Sequence, residues 1–350
     1  MKTIRNLKSP PTDTRPTTGR ARVRIAPVHE ELLTLGGEVP LHHGGSLSGV
    51  KIAWRLVGPA GAPVVAALGG ISANRRVCGT GEGPPGWWEQ IVGEGRALDT
   101  AAFRVLGVDF LGGSGESTGP DPGSEFPSIS TYDQAEMLLR LMHHLGIASL
   151  HAIAGGSYGG MVALAFAERY PDRVARLLVI GAADAPHPMA TAWRSTQRGI
   201  VRFALEAGDA SRGLQLARAL AMTTYRSAEE FAARFAGPPV REGGSFVFPV
   251  ERYLAARGRD FAARQRAEAF LCLSESIDLH RVDASRIYVP TTVVAVREDQ
   301  LVPLADMRAM VTRLAHGRLH EMSSVYGHDA FLKEAEQLRP IFRASLEGAA

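Results

Sequence analysis

One short stretch carries the strongest chemical signal in this sequence: Gly155-Gly156-Ser157-Tyr158-Gly159, which has the form G-x-S-x-G. The residues before it form an apolar run typical of a buried strand, and the residues after it favour a helix. Glycines two positions before and after the serine let the strand and the helix approach closely, and the sharp turn holds the serine hydroxyl away from the backbone. The pattern therefore predicts a nucleophilic serine on a strained turn.

An ordinary serine hydroxyl is a weak nucleophile, so this site needs a base and an acidic group that orients the base. When a serine lies on such a turn, the acid and then the histidine follow later in the chain, on loops after strands. The apolar run TTVVAV is followed by Glu298 and Asp299, and either fits as the acid. The run RLHEMSS is followed by His328, which we expect to be the base.

Acyl transfer by a serine also requires hydrogen-bond donors for the oxyanion that develops on the carbonyl oxygen. The backbone N–H of Tyr158 and that of Gly69 or Gly70, which follow the apolar run VVAAL, are predicted to form this oxyanion hole. No metal site is expected, because adjacent histidine pairs point to different faces and the two cysteines lack metal-ligand spacing. No permanently bound cofactor is expected either.

The elements that position these residues alternate along the chain. Strands are predicted at the apolar runs 50–57, 63–70, 102–110, 150–154, 175–181, 287–296 and 318–324. Helical segments separate several of these runs, so the sequence predicts an α/β fold with a mostly parallel, doubly wound sheet. Residues 183–285 favour helix without a convincing strand, and they are predicted to form a helical lid between the core segments 39–182 and 286–350.

The composition is that of an ordinary globular protein, since 45% of the 350 residues are hydrophobic and 21% are charged. No apolar run is long enough to span a bilayer and no signal peptide is recognised, so we expect a cytoplasmic location and no membrane partner. Residues 1–24 contain seven Lys or Arg and one acid, and residues 1–38 are interpreted as a disordered basic tail. Because this tail lacks interleaved aromatic residues, nucleic-acid binding is not expected.

Several segments besides the serine turn make the sequence resemble one family, the homoserine O-acyltransferases of methionine biosynthesis, often called the MetX family. The matching segments are GWWEQIVGEGRALDT (86–100), STGP (117–120), GGSYGGM (155–161), TTYRSAEEFAARF (223–235), VERYL (250–254) and GHDAFL (327–332). They are distributed over roughly residues 45–340. The resemblance implies an α/β-hydrolase fold and a homodimer.

The resemblance also implies a reaction. Ser157 would attack the thioester of an acyl-CoA co-substrate and pass the acyl group to the hydroxyl of L-homoserine, in a ping-pong cycle with His328 as base and acid. Asp299 rather than Glu298 matches the family's acid, because it precedes the stretch QLVP.

Three further residues are assigned to the amino-acid substrate by the same resemblance. Arg198, in the stretch TQRGI, matches the family's arginine for the α-carboxylate, which a guanidinium binds through two parallel hydrogen bonds. Asp329 matches the contact to the α-amino group, and Tyr225 is a candidate for the pocket wall.

The sequence departs from the family pattern around the acyl pocket. The stretch LGGISANRRV lacks the usual threonine–glycine arrangement, VDFLGGSGESTGP differs from the usual loop, and Tyr158 replaces a frequent methionine. Arg75 or Arg76, just behind the oxyanion loop, is expected to bind either a succinyl carboxylate or the phosphates of CoA. This expectation favours succinyl over acetyl as the acyl group.

Two other reactions stay open. Serine O-acylation in cysteine biosynthesis would need a pocket one methylene shorter, and a difference of that size, worth about 1–3 kcal/mol, cannot be read from the sequence. An esterase would transfer the acyl group to water with the same serine, acid and histidine. Arg198 and Asp329 argue against hydrolysis, because water needs no clamp for an amino acid. The intact set of Ser157, Asp299 and His328 argues against a non-catalytic binding module.

Overall fold

The centre of the molecule, seen in a computed structural model that describes residues 27–81 and 83–347, is an eight-stranded sheet. Its strands lie in the order β1, β4, β8, β5, β9, β10, β13, β14. They span Val28–Thr34 (β1), Lys51–Val57 (β4), Val64–Leu68 (β5), Arg104–Val108 (β8), Ala152–Gly156 (β9), Leu177–Ile180 (β10), Thr291–Val296 (β13) and Gly317–Met322 (β14). From β8 to β14 every pair is parallel, while β1 and β4 add an antiparallel edge. The predicted α/β fold with a mostly parallel sheet is confirmed.

Both faces of this sheet are covered, as expected for parallel strands that are apolar throughout. All residues of β5 and β10 are buried. Successive residues of β5 contribute to different apolar clusters, with Val64 and Ala66 in one and Val65 in the other. Because side chains alternate across a strand, the two clusters are the two faces of a doubly wound sheet.

The helices that cover the sheet are Thr131–His144 (α1), Tyr158–Arg169 (α2), Leu304–Val311 (α8), Ala330–Lys333 (α9) and Ala335–Glu347 (α10). Helix α1 begins with a capping box, in which Ser130 and Asp133 satisfy each other's backbone N–H groups. Helix α2 is buried over most of its length, because its alanines and glycines allow close packing on the sheet. Short strands form two further pairs, Glu38–Pro40 (β2) with Ser46–Ser48 (β3), and Val92–Gly93 (β6) with Leu98–Asp99 (β7).

Five helices lie between β10 and β13, in the segment predicted to be a helical lid. They are Pro188–Glu206 (α3), Ala210–Tyr225 (α4), Ala228–Phe235 (α5), Pro249–Ala262 (α6) and Ala267–Asp278 (α7). Val201, Leu214, Phe261 and Phe270 belong to a small apolar core of this segment. The lid also contains a hairpin of Val240–Glu242 (β11) and Ser245–Val247 (β12), which the sequence did not indicate because each strand is only three residues long and contains no apolar run.

The predicted boundary of the N-terminal tail at residue 38 is wrong. Strand β1 pairs with β4 along its whole length, from Val28 opposite Val57 to Thr34 opposite Lys51. Backbone hydrogen bonds and ion pairs of Glu30 hold this strand in place. Because it buries little apolar surface, its sequence shows no apolar pattern from which the strand could be predicted. Residues 1–26, which contain the basic stretch, lie outside the described residues.

Candidate active site

The serine turn has the backbone shape that its glycines predict. Ser157 lies between β9 and α2 with φ 54° and ψ −123°, and within residues 27–81 and 83–347 it is the only non-glycine residue with positive φ. A Cβ on Gly155 would lie 2.3 Å from the carbonyl oxygen of Gly159, and a Cβ on Gly159 would lie 2.2 Å from that of Leu68. Neither position accepts a side chain, so these glycines are required by the close approach of β5, β9 and α2.

His328 lies within hydrogen-bonding distance of both expected partners. Its Nε2 is 2.8 Å from Ser157 Oγ, and its Nδ1 is 2.7 Å from Asp299 Oδ2. The other oxygen of Asp299 accepts hydrogen bonds from the backbone N–H of Leu301 and Val302, at 2.8 and 3.0 Å. These bonds orient the carboxylate toward the imidazole, which in turn faces the serine hydroxyl.

Of the two acids that the sequence left open, Glu298 points elsewhere. Its carboxylate accepts a hydrogen bond from the backbone N–H of Ser324 at 2.8 Å and another from the hydroxyl of Ser323. Asp299 is 4% exposed and is the acid that contacts His328.

The charge environment of His328 favours its protonated form. Burial lowers the pKa of His328, but the charge and hydrogen bond of Asp299 and the charge of Asp329 together raise it above the ordinary value for histidine. An imidazole held in this way accepts a proton from a serine hydroxyl readily, which is the role of a general base.

Two backbone N–H groups are available near the serine. Within the described part of the chain, the N–H groups of Tyr158 and Gly70 have no hydrogen-bond partner in the protein. The carbonyl oxygen of Gly69 accepts a bond from Gly159 N–H at 2.8 Å, and in a trans peptide the N–H of Gly70 points away from that oxygen. The side chain of Tyr158 is fully buried, and its hydroxyl is 2.6 Å from Ser276 Oγ of α7.

A cavity of about 170 Å³ opens at the serine, between the sheet and the lid. Ser157, His328, Asp329 and Tyr225 all contribute to its wall. Asp329 is buried, and its Oδ2 accepts a hydrogen bond from Arg226 Nε at 3.0 Å. The predicted Asp329 and Tyr225 therefore lie where an acceptor substrate would meet the serine.

Arg198 does not lie in this wall. Its Nη1 donates to Asp278 Oδ2 at 2.6 Å and to the backbone and side-chain oxygens of Ser274 at 3.1 Å, so its guanidinium ties α3 to α7. Arg194, one turn earlier, does line the cavity, but it shares the carboxylate of Asp278.

A second arginine of the cavity wall, Arg218, was missed by the sequence analysis. Its guanidinium lies 5.1 Å from the ring centroids of Tyr225 and Phe261, and no hydrogen bond or ion pair engages it within residues 27–81 and 83–347. It precedes Tyr225 by two helical turns on α4, so both side chains project from one face of the helix. This spacing is the signal that could have identified it.

Arg75 and Arg76 lie outside the wall, contrary to expectation. Arg75 forms ion pairs with Glu30, Asp109 and Glu116, at 2.9, 2.6 and 2.6 Å, and Arg76 pairs with Glu30 at 3.0 Å. These carboxylates occupy the guanidinium groups, which hold β1 and neighbouring loops together. All three side-chain nitrogens of Arg75 are paired and Arg76 pairs through Nη2, and neither side chain contributes to the wall of the cavity at the serine.

Comparisons with known proteins identify the fold and the family of this chain. A family model of the α/β-hydrolase fold matches residues 69–335. A homoserine O-succinyltransferase from Xanthomonas campestris pv. campestris is 43% identical over 310 residues, which cover 88% of this chain and 82% of that relative. A serine O-succinyltransferase from Litchfieldella anticariensis is 33% identical, over 90% of this chain and 97% of the relative. The chain belongs to the homoserine O-acyltransferase family.

Members of this acyltransferase family share the α/β-hydrolase fold with the present chain. The crystal structure of a homoserine O-acetyltransferase from Bacillus anthracis superposes with a TM-score of 0.84 at 20% identity, covering 92% of this chain and 98% of that one. At this identity the likeness concerns the fold alone. The part of the chain that the structure describes contains no helix that could span a membrane, and no group of three His, Cys, Asp or Glu residues placed to hold a metal ion.

Proposed function

We propose that this protein transfers an acyl group from acyl-CoA to the hydroxyl of L-homoserine in methionine biosynthesis, with succinyl preferred over acetyl. The observation that carries the proposal is a pair of opposite charges in the cavity of Ser157, each with polar atoms that have no partner within the described residues. Arg218 has free N–H donors for an α-carboxylate, and Asp329 keeps one carboxylate oxygen free of Arg226 for an α-amino group.

The first half of the reaction acylates the serine. Ser157 Oγ attacks the thioester carbonyl while its proton passes to His328 Nε2, and the oxyanion is stabilised by the N–H groups of Tyr158 and Gly70. When the tetrahedral intermediate collapses, the C–S bond breaks and the thiolate takes the proton from the imidazolium. Free CoA leaves, and the acyl group stays on Ser157 as an ester.

The second half transfers the acyl group. The hydroxyl of homoserine gives its proton to His328 Nε2 and attacks the ester carbonyl, and collapse of the new intermediate returns the proton to Ser157 Oγ. Asp299 holds the imidazole in the tautomer that each half requires. Arg218 and Asp329 would place the amino acid so that its hydroxyl, rather than water, reaches the acyl carbon.

The preference for succinyl is supported by the names of two relatives, which are succinyltransferases of homoserine and of serine at 43% and 33% identity. Serine O-acylation is the second candidate, because that serine enzyme covers nearly the whole chain. We further propose a cytoplasmic homodimer. Exposed apolar side chains on the lid, such as Phe203 on α3 and Leu216 on α4, support a subunit contact there.

Thiol release tests the function directly. The purified protein is mixed with acetyl-CoA or succinyl-CoA, and free thiol is followed with L-homoserine, L-serine or no acceptor. We expect fast release that depends on homoserine and is faster with succinyl-CoA. Equal release without an acceptor would show a hydrolase, and dependence on serine would show the second candidate.

A further inference from the structure

A second cavity, of about 290 Å³, adjoins the one that contains the serine. The two share part of the loop that follows β5, including Ile71 and Ser72, together with Trp87, Arg218 and Phe261. The second cavity then continues between this loop and the end of α6. An acyl donor attached at Ser157 can therefore extend from the first cavity into the second.

Positive charge dominates the wall of this second cavity. Three arginines, Arg218, Arg257 and Arg264, face it. The two acids of the wall are Asp260 and Asp109, and Asp109 is already paired with Arg75. A cavity wall with this excess of guanidinium groups attracts anions.

The arginines of the wall differ in how many of their side-chain N–H groups already donate to a partner within the protein. Arg257 pairs with Asp260 at 2.7 Å, and Arg264 uses its Nε to donate to the backbone carbonyl oxygen of Asp260 at 3.0 Å. Within residues 27–81 and 83–347, the terminal nitrogens of Arg264 have no hydrogen-bond partner. They present a planar pair of donors that matches the geometry of a carboxylate or a phosphate.

We propose that this second cavity is an anion subsite for the acyl donor, with Arg264 as its main ligand and Arg257 beside it. The inference rests on the proposed function, because it takes the donor to be an acyl thioester of CoA. Such a donor offers two kinds of anion, the phosphates of CoA and, in succinyl-CoA, the terminal carboxylate of the acyl group. Both bind guanidinium groups through the same charge-assisted hydrogen bonds. Polar side chains of the wall, among them Asn74 and Gln265, can donate further bonds.

The test compares four thioesters in a two-by-two set: acetyl-CoA, succinyl-CoA, acetyl-pantetheine and succinyl-pantetheine. The variants are Arg264→Gln and Arg257→Gln, with Arg259→Gln as the matched control, because Arg259 lies exposed on the same helix as Arg257 and outside the cavity. Thiol release is measured with and without L-homoserine. We expect Arg264→Gln to lower kcat/KM about fivefold to tenfold for donors that carry the recognised anion.

The pattern of loss identifies the anion. Loss confined to the two succinyl donors supports recognition of the acyl carboxylate, whereas loss confined to the two CoA donors supports recognition of the phosphates. Unchanged kcat/KM for all four donors in both Arg264→Gln and Arg257→Gln would overturn the subsite. The burst of thiol released without acceptor reports on donor binding and acylation of Ser157 and not on transfer to homoserine, so a failure of homoserine transfer would refute the proposed function without deciding this inference.

Discussion

Arg226 Nε donates a hydrogen bond to Asp329 Oδ2 over 3.0 Å, although the two residues are 103 positions apart in the chain. Arg226 also pairs with Glu230 at 3.1 Å and stacks over the ring of Tyr326, so its position is held from several sides. The bond leaves the second oxygen of Asp329 for the cavity and keeps a negative charge beside His328. The charge of Asp329 therefore acts on the base as well as on the proposed acceptor.

The first prediction concerns pH dependence. His328 must be neutral to accept the serine proton, so activity falls as pH drops through its raised pKa. Asp329→Asn removes one of the charges that raise this pKa, and the acidic limb of the profile should move to lower pH. The measurement is the pH profile of the rate of the thiol burst that accompanies acylation of Ser157 without acceptor, with Glu336→Gln as a distant control. An unmoved acidic limb in Asp329→Asn would contradict this coupling.

The second prediction concerns the strain at the serine. Ser157→Gly should abolish thiol release and yet stabilise the fold by about 0.5–2 kcal/mol, because glycine adopts positive φ without the cost that a side chain carries. Ser157→Ala should also abolish thiol release but keep the strain. Urea unfolding of the two variants measures the difference. If glycine is no more stable than alanine at this position, the turn is not strained.

The third prediction separates two arginines. Arg218→Gln should raise KM for homoserine by about tenfold to a hundredfold, since a charge-assisted hydrogen bond to the substrate is lost, and this effect should exceed its effect on acylation by the donor. Arg198→Gln should instead lower stability by about 1–3 kcal/mol, because it removes a buried partner of Asp278. Acceptor kinetics and urea unfolding of both variants decide the point. The reverse result would restore the sequence-based assignment of Arg198.

The fourth prediction concerns stability in acid. His280 is fully buried between Thr131 Oγ1 at 2.8 Å and the carbonyl oxygen of Ala183 at 3.1 Å, and burial lowers its pKa to about 3. An unfolded histidine titrates near about 6.5, so below that pH the unfolded state binds the extra proton. The neutral, buried His280 therefore contributes its full stabilisation above the pKa of histidine in the unfolded chain. As the pH falls from that value toward the pKa in the folded protein, this stabilisation decreases by about 1.4 kcal/mol per pH unit.

Replacement of His280 by Gln tests this contribution. At pH 8 the variant should be less stable than the parent protein, because the hydrogen bonds of the imidazole are removed. Between pH 6 and pH 4 its stability should decline less steeply than that of the parent, by the slope that uptake of about one proton on unfolding produces. Urea midpoints at several pH values measure both effects. His29→Gln, in the exposed edge strand, serves as control, and identical slopes in all three proteins would contradict the prediction.

Elements that bury apolar residues could be predicted from the sequence alone. The strands of the parallel sheet and the helix after Ser157 follow from runs and periods of apolar residues, because burial requires those residue types wherever the element lies in the fold. Strand β1 and the hairpin of β11 and β12 could not be predicted, because backbone pairing holds them and their few apolar residues form no long run or alternation.

The residues of the candidate site also divide into those that the sequence could place and those that it could not. Ser157 and His328 were placed from motif and chain order, since the turn glycines and strand ends determine where those groups stand. Chain order left Glu298 and Asp299 open, and the family resemblance favoured Asp299, which the structure places against His328. The sequence could not determine which arginines are free, because Arg75, Arg198 and Arg218 are chemically identical until the fold supplies their partners. Tertiary structure brought Glu30 and Asp109 to Arg75 and Asp278 to Arg198. It left Arg218 in the cavity against two aromatic rings, with no ion pair among the residues that the structure describes. A guanidinium can bind a substrate only where the fold has not already paired it with a carboxylate of the protein.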